Sequence, residues 1–296
     1  MDLEHLRAAS AEVATQDDDI RIKYLRSDHW VGYTRARKAV ARIEELLKWP
    51  KKVRMPNLLV IGPTHRGKSM ILNRVIRTHR PQPGRDAQSM PVVSMLMPEI
   101  PTVREFYKQI ITATHGIARE RASTSELRTV AFRVLRSVGA RILIIDELHN
   151  ALPAFGRERQ TMLNVLRGMG NELQIPLIGA GTKDAYLAIR SDPQLENRFE
   201  PLLLPRWVAD DESRSFISSY MRVLPLRRPS RIDSTPMVKL LLERSEGNVG
   251  ELIELLNRVA EVAIENGEEC LTQDLLSAVD YSGPTQRTNL AELYLD

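Results

Sequence analysis

Residues 57–72, NLLVIGPTHRGKSMIL, restrict the possible folds more than any other stretch of the chain. Leu58, Leu59, Val60 and Ile61 form a short apolar run, and Gly62 to Ser69 follow it with the spacing G-x-x-x-x-G-K-S. Met70, Ile71, Leu72 and Val75 then continue at helical spacing. The pattern predicts strand, loop, helix. Glycines let such a loop turn its N–H groups inward around a phosphate chain, and the helix adds the positive end of its dipole. Gly62, Pro63, Thr64, His65, Arg66, Gly67, Lys68, Ser69 and Met70 are therefore the candidate nucleotide contacts. Lys68 is expected to reach the β- and γ-phosphates and Ser69 to offer its hydroxyl to Mg²⁺, so ATP and Mg²⁺ are the expected ligands. The alternative, a chance glycine turn with a surface lysine, would not need a strand before it and a helix after it.

A phosphate loop of this kind calls for an α/β fold with a parallel sheet flanked by helices, and further buried strands follow. PVVSMLM (91–97) lies beyond a Pro/Gly loop at 81–90, and RILIIDELHN (141–150) delivers Asp146 and Glu147 to a strand's carboxyl end, the edge where open α/β sheets bind ligands. Two adjacent acids can divide the work, Asp146 holding Mg²⁺ through its water shell and Glu147 orienting and deprotonating the attacking water. Acids after a strand also serve as helix caps. IPLIGAGT (175–182) is another strand; if it lies between the loop strand and the Asp146 strand, Thr182 stands near the γ-phosphate. Within 183–205 a short helix, a polar turn and a last strand surround Arg198, which is either a group reaching a neighbouring subunit's γ-phosphate or the local ion-pair partner of Glu196 or Glu200.

Upstream, residues 1–19 are polar and lack a period, which reads as a loosely ordered arm that either frays or docks on a neighbour. Trp30, Val31 and Tyr33 then precede an amphipathic helix carrying Ala36, Val40, Ile43 and Leu47; they are candidates for a base pocket or for ordinary packing. Helices are expected over 102–118, 124–138 (capped by Ser123 or Thr124) and 157–173, and from Asp210 the pattern is wholly helical over 210–223, 235–245, 250–266 and 272–280. The expected organisation is an arm and base-pocket segment at 1–33, an α/β core at 34–208, a helical lid at 209–282 and a tail at 283–296.

A net charge of +4 from 42 basic and 38 acidic residues leaves contact with nucleic acid to be decided by clustering. Arg104, Lys108, Arg119 and Arg121 belong to the most one-sided basic stretch and suit sequence-independent phosphate contact; Arg157 and Arg159 are the alternative, and a solvated face is the default for both. The single Cys270 cannot form an internal disulfide, no apolar run reaches membrane-spanning length, and the opening residues lack the basic-then-apolar order of a secretory signal. A cytoplasmic protein without membrane contact is expected.

With these residues placed, GPTHRGKS, RILIIDELHN, LIGAGT, the arginine of ENRF and the helical lid resemble an AAA+ ATPase. HWVGYTRA, RMPNLLVIGPTHRGKSMI and IDELHN are similar to the TniB/TnsC family of transposition ATPases, over roughly residues 20–280. The resemblance implies an ATP-dependent regulator that oligomerises as a ring or helical filament on double-stranded DNA, without sequence preference, and recruits or activates a transposase, often with a target-selecting protein. It also implies that Lys68, Ser69, Asp146 and Glu147 form the two Walker motifs, Thr182 the first sensor and Arg198 the arginine finger. One departure is GNVG, which puts Gly250 where many AAA+ lids carry a second-sensor arginine, and slow or partner-stimulated hydrolysis is expected from it. Competing functions are an AAA+ helicase loader or replication-type ATPase, and an ATP-gated scaffold with little hydrolysis. A P-loop kinase of small molecules suits the adjacent Asp-Glu pair less well.

Overall fold

The computed structural model describes residues 3–81, 89–99, 101–151, 157–232 and 234–295; most of the loop expected at 81–90 lies outside them. These residues separate into two compact units, one spanning 35–204 and one that joins the chain up to Thr34 with the chain from Pro205 onward.

The chain opens in the helical unit with α1 (Ala8–Ala14) and α2 (Asp18–Leu25). α1 and the start of α2 thus lie within the stretch expected to be a loosely ordered arm. The periodic signal is missing because the buried positions are Ser10 and Ala14 on α1, and Arg21 and Leu25 on α2: small, polar and charged residues stand where an apolar stripe would be sought.

The α/β unit begins with α3 (Thr34–Leu47), whose buried face carries Ala36, Ala39, Ile43, Leu46 and Leu47. Then come β1 (Asn57–Ile61), α4 (Lys68–Thr78), β2 (Val92–Leu96), α5 (Val103–Ala113), α6 (Thr124–Ser137) and β3 (Ile142–Asp146). A 3₁₀ turn at Leu148–Ala151 leads to α7 (Arg157–Leu173), β4 (Leu177–Gly181), α8 (Lys183–Arg190), α9 (Pro193–Glu196) and β5 (Phe199–Leu203). The five strands form one parallel sheet in the order β2-β3-β4-β1-β5, so β4 does lie between the loop strand and the Asp146 strand. Central strands of a sheet covered on both faces read as unbroken apolar runs, and every residue of β1 and β4 is buried. On one face Val93, Leu143 and Ile145 pack with Phe106, Ile110, Phe132 and Leu166 of the helices. Ser123 caps α6 in a reciprocal box with Glu126, which resolves the choice of cap. At the start of the sheet the buried Asn57 side chain accepts a hydrogen bond from the Leu177 N–H at 2.9 Å, tying β1 to β4.

The helical unit resumes with α10 (Asp211–Met221), α11 (Thr235–Arg244), α12 (Val249–Glu265), α13 (Gln273–Ala278) and α14 (Pro284–Leu295). Tyr33, Trp207 and Phe216 pack edge to face, with ring centroids 4.8 to 5.9 Å apart. Between α11 and α12 Gly247 has φ +60°, and a Cβ there would stand 2.5 Å from the Trp207 carbonyl oxygen, so only glycine fits this turn. The tail is anchored at its start: Glu246 accepts from the Thr285 N–H at 2.8 Å, and Arg287 pairs with Glu251 at 2.6 Å.

Candidate functional site

β1 ends at Ile61 and α4 begins at Lys68, so the loop between them stands at the carboxyl edge of the sheet. Its turn uses two left-handed residues, His65 (φ 58°) and Gly67 (φ 79°), the second immediately before the helix. Lys68 is 4% exposed, and its ammonium donates to the carbonyls of Gly62 at 2.9 Å and Pro63 at 2.8 Å. Burial pushes the Lys68 ammonium below the ordinary lysine value, an effect that Arg66 reinforces and that the charges of Glu147 and Asp146 oppose. A buried cation whose hydrogen bonds, among the described residues, go to backbone carbonyls is electrostatically suited to an anion at this loop.

Asp146 is the last residue of β3, and its Oδ2 accepts from the Ser69 hydroxyl at 2.8 Å, joining the two acidic-strand and phosphate-loop motifs. Its Oδ1 accepts from the Glu147 N–H at 2.8 Å, so the carboxylate is occupied here and does not cap a following α-helix. Glu147 has φ 54°, a conformation that costs a non-glycine residue about 1 to 2 kcal/mol. Strain of that kind collects where a side chain must be aimed. His149, for which the sequence suggested no role, places Nε2 3.3 Å from Glu147 Oε2, while its Nδ1 is buried without a hydrogen-bond partner among the described residues. Little in the sequence could have flagged it, because the contact depends on the 3₁₀ turn after β3. The turn is crowded: a Cβ on Gly181 would come within 2.8 Å of Ala185 Cβ and 3.4 Å of the His149 nitrogen.

Thr182 follows β4, between the loop strand and the Asp146 strand. It occupies the N-cap position of α8 yet makes no side-chain cap bond, and its Oγ1 is buried without a partner among the described residues. A hydroxyl and a carboxylate 2.8 Å apart form the hard-oxygen donor set that Mg²⁺ favours, so these two residues fit the ion, and the Thr182 hydroxyl, unused among the described residues, follows the strand between β1 and β3.

Arg198 lies elsewhere. Its carbonyl accepts from the Asn57 N–H at 2.8 Å, at the beginning of β1 and β5, whereas the phosphate loop follows their ends. Five residues of strand separate the two, roughly 16 Å. Neither local acid holds the guanidinium: Glu196 pairs with Arg190 at 2.9 Å and Glu200 with Arg42 at 2.7 Å, while Arg198 donates to Asn171 at 2.7 Å.

Trp30, Val31 and Tyr33 belong to the helical unit. Val31 and Tyr33 are buried, the Tyr33 ring against Trp207 and Phe216, and the Trp30 carbonyl accepts from Arg7 at 3.2 Å. Among the basic candidates, Arg104 turns inward onto the carbonyls of Ala122 and Glu120, and Lys108 pairs with Glu105 at 2.8 Å. Arg119, Arg121 and Arg157 are exposed, and Arg159 is half-buried on the first turn of α7.

A model of the bacterial TniB protein family matches residues 21–209. Chaperone protein ClpB 1 of Synechocystis is 38% identical over 89 residues, which cover 29% of this chain and 10% of the chaperone. The ORC1-type DNA replication protein 14 of Haloarcula marismortui is 22% identical over 263 residues, 83% of this chain and 60% of that protein. This chain therefore spans a tenth of one curated relative and 60% of the other. The structure of the Aeropyrum pernix ORC1 protein in complex with DNA matches with a TM-score of 0.61 at 18% identity, covering 91% of this chain and 69% of that one. The architecture is the P-loop ATPase fold of the AAA+ kind.

Proposed function

The chain belongs to the bacterial TniB family, and from that premise we propose that it is an ATP-hydrolysing regulator of DNA transposition, which assembles on double-stranded target DNA and recruits or activates a transposase there, with a target-selecting protein as a further partner. The observation that carries the nucleotide chemistry is the 2.8 Å bond from Ser69 to Asp146, which unites residues 77 positions apart at the carboxyl edge of the sheet.

In this reading the N–H groups of the 62–70 loop, Pro63 excepted, and the Lys68 ammonium hold the triphosphate, and Ser69 and Asp146 hold Mg²⁺. The ion, when bound, neutralises charge on the phosphate oxygens. Glu147 orients a water molecule and accepts its proton as the oxygen attacks the γ-phosphorus; the bond to the bridging oxygen breaks, leaving ADP and inorganic phosphate. His149 restrains the Glu147 carboxylate, and Thr182 aligns the water through its free hydroxyl. Arg198, a strand's length from its own loop, acts on the nucleotide of a neighbouring copy. Base recognition by Trp30, Val31 and Tyr33 is proposed from their place upstream of the loop in the sequence. Exposed Arg119 and Arg121, with Lys108, are the proposed contacts to DNA phosphates, and Arg157 with Arg159 the alternative set.

The test separates binding from turnover. Lys68→Ala should abolish ATP-dependent assembly through lost nucleotide affinity, while Glu147→Gln should retain nucleotide, stop phosphate release and prolong the assembled state. Normal hydrolysis by Glu147→Gln would remove the water-activating role, and wild-type protein that leaves strand transfer by its cognate transposase unchanged would remove the transposition role. A replication-type helicase loader is the second reading. The match to the Haloarcula replication protein over 83% of this chain favours it, and stimulation of a replicative helicase instead of a transposase would select it.

A further inference from the structure

Two polar atoms at the carboxyl edge of the sheet are buried without a hydrogen-bond partner among the described residues: His149 Nδ1 and Thr182 Oγ1. They lie close along the structure. Gly181 ends β4 and Thr182 follows it; a Cβ on Gly181 would stand 3.6 Å from His149 Nδ1 and 3.4 Å from the His149 backbone nitrogen. The ring therefore rests against the residue just before Thr182. Through its other nitrogen it reaches Glu147, with Nε2 3.3 Å from Oε2. One imidazole thus touches both the carboxylate that follows β3 and the strand end that carries the Thr182 hydroxyl, the two groups proposed to handle the attacking water.

What each nitrogen faces decides the tautomer. An ionised carboxylate can only accept, so in the neutral ring the hydrogen belongs on Nε2, where it donates to Glu147, and Nδ1 is left as a bare acceptor. A threonine hydroxyl is the donor that such an acceptor lacks. The arrangement seen here satisfies Glu147 and leaves a complementary pair, hydroxyl and acceptor nitrogen, unmet. Turning the ring toward Thr182 exchanges the first bond for the second. The bond given up, at 3.3 Å, is longer than an ordinary N–H···O bond, so neither arrangement dominates by its hydrogen bonds alone.

We propose that His149 is a two-position switch on ATP turnover: donating from Nε2 it holds the Glu147 carboxylate back from water, and accepting at Nδ1 from the Thr182 hydroxyl it releases that carboxylate to work. The inference rests on the ATPase reading and adds regulation to the same site. In the released arrangement the proton count closes. Thr182 gives its own hydrogen to Nδ1 and keeps its lone pairs for one hydrogen of the water. Glu147 takes the other as a proton while the oxygen joins the γ-phosphorus and the bond to the bridging oxygen breaks. A bound triphosphate and its water favour this arrangement, because only here is the carboxylate open to accept from the water. His149 meets neither water nor phosphate and is a positioning residue.

Two near-isosteric substitutions pull the switch in opposite directions. His149→Asn keeps an acceptor oxygen at the place of Nδ1 and loses the donor to Glu147; His149→Gln keeps a donor at the place of Nε2 and loses the acceptor for Thr182. At saturating ATP the first should raise kcat about fivefold and the second lower it about fivefold, roughly the weight of one hydrogen bond to a charged group. KM should stay within about twofold in both, since neither side chain meets the nucleotide. Thermal midpoints and binding of a fluorescent ADP confirm that the variants are folded. A pure packing role would move both variants the same way, so kcat lowered in both would overturn the proposal, as would kcat within twofold of wild type in both or the opposite order. Nitrogen NMR of the histidine rings in the unaltered protein supplies a readout without turnover, the His149 signals being those lost in His149→Gln. On addition of a non-hydrolysable ATP analogue, the Nδ1 signal should move from that of a bare acceptor toward that of a hydrogen-bonded one, and an unmoved signal would also overturn the switch. Wild-type protein that binds ATP and assembles but never releases phosphate would overturn the ATPase reading and the switch with it.

Discussion

Replacing Glu269 by glutamine tests whether a buried charge, not an apolar stripe, fastens the amino-terminal helices to the helical unit. Arg21 on α2 is fully buried, and both terminal nitrogens of its guanidinium donate to the Glu269 carboxylate. Its Nε and one terminal nitrogen also donate to the Pro225 carbonyl at 3.1 and 2.9 Å, and Asp18 accepts at 2.8 Å. Arg227 reaches the same carboxylate at 3.2 Å through its side chain and at 3.1 Å through its N–H. Breaking a buried pair by removing one charge costs about 3 to 5 kcal/mol, because the remaining ion keeps its desolvation penalty. Glutamine preserves the size and one acceptor oxygen, and the Pro225 and Asp18 bonds survive, so the expected loss is at the lower end, about 3 kcal/mol. For a unit of this length that lowers the unfolding midpoint by roughly 10 °C. Thermal unfolding followed by tryptophan fluorescence in a Trp49→Phe background reads the helical unit alone, since Trp30 and Trp207 both lie in it. Burial disfavours the charged form of Glu269, but the hydrogen bonds from Arg21 and Arg227 and their positive charges outweigh it and hold the carboxyl below the usual range. A depressed carboxyl contributes stability that is complete above the unfolded-state value of about 4.3 and is lost as pH falls through the lower folded-state value. Wild type should therefore lose more stability than Glu269→Gln on acidification below about pH 4.3. A loss under about 1 kcal/mol at neutral pH, the range of solvated surface pairs, would refute the reasoning, as would identical acid profiles. Arg21→Met combined with Glu269→Gln should recover part of the loss, since an apolar side chain leaves no unpaired ion.

Two further outcomes follow from the proposed assembly. Arg198→Ala and Glu147→Gln should each abolish turnover alone, and mixing the two proteins should restore some, because one class of boundary then pairs an intact arginine with an intact glutamate; no recovery in confirmed co-assemblies would return Arg198 to its own subunit. DNA binding should require ATP, ignore sequence and weaken steeply with salt, and removing the charges of Lys108, Arg119 and Arg121 together should lower affinity by similar factors on unrelated duplexes and flatten the salt slope, as filter binding or anisotropy would show; unchanged binding would reject this surface.

What the sequence discloses and what it hides divide along a physical line. The phosphate loop is legible because the chemistry demands glycines, a lysine and a hydroxyl at fixed spacing, and because β1 is buried on both faces and must be apolar throughout. The position of Thr182 was equally open to inference, since it needs only the order of strands in a parallel sheet. Long charged side chains were not legible. Arg104 belongs to a basic run in the sequence but closes the loop between α5 and α6 through the carbonyls of Ala122 and Glu120, while Arg21 finds its partner 248 residues away. Charge counts register that a guanidinium exists, and only the fold decides where its five donors end. Arg198 marks the boundary between the two cases. Its place before β5 is a matter of topology and was readable, but its candidacy for work outside its own subunit gains its force from Glu196 and Glu200 having other partners, Arg190 and Arg42. An arginine whose neighbouring acids are already engaged, and whose own loop lies at the far edge of the sheet, is the group that the proposed assembly would offer to a neighbour's nucleotide.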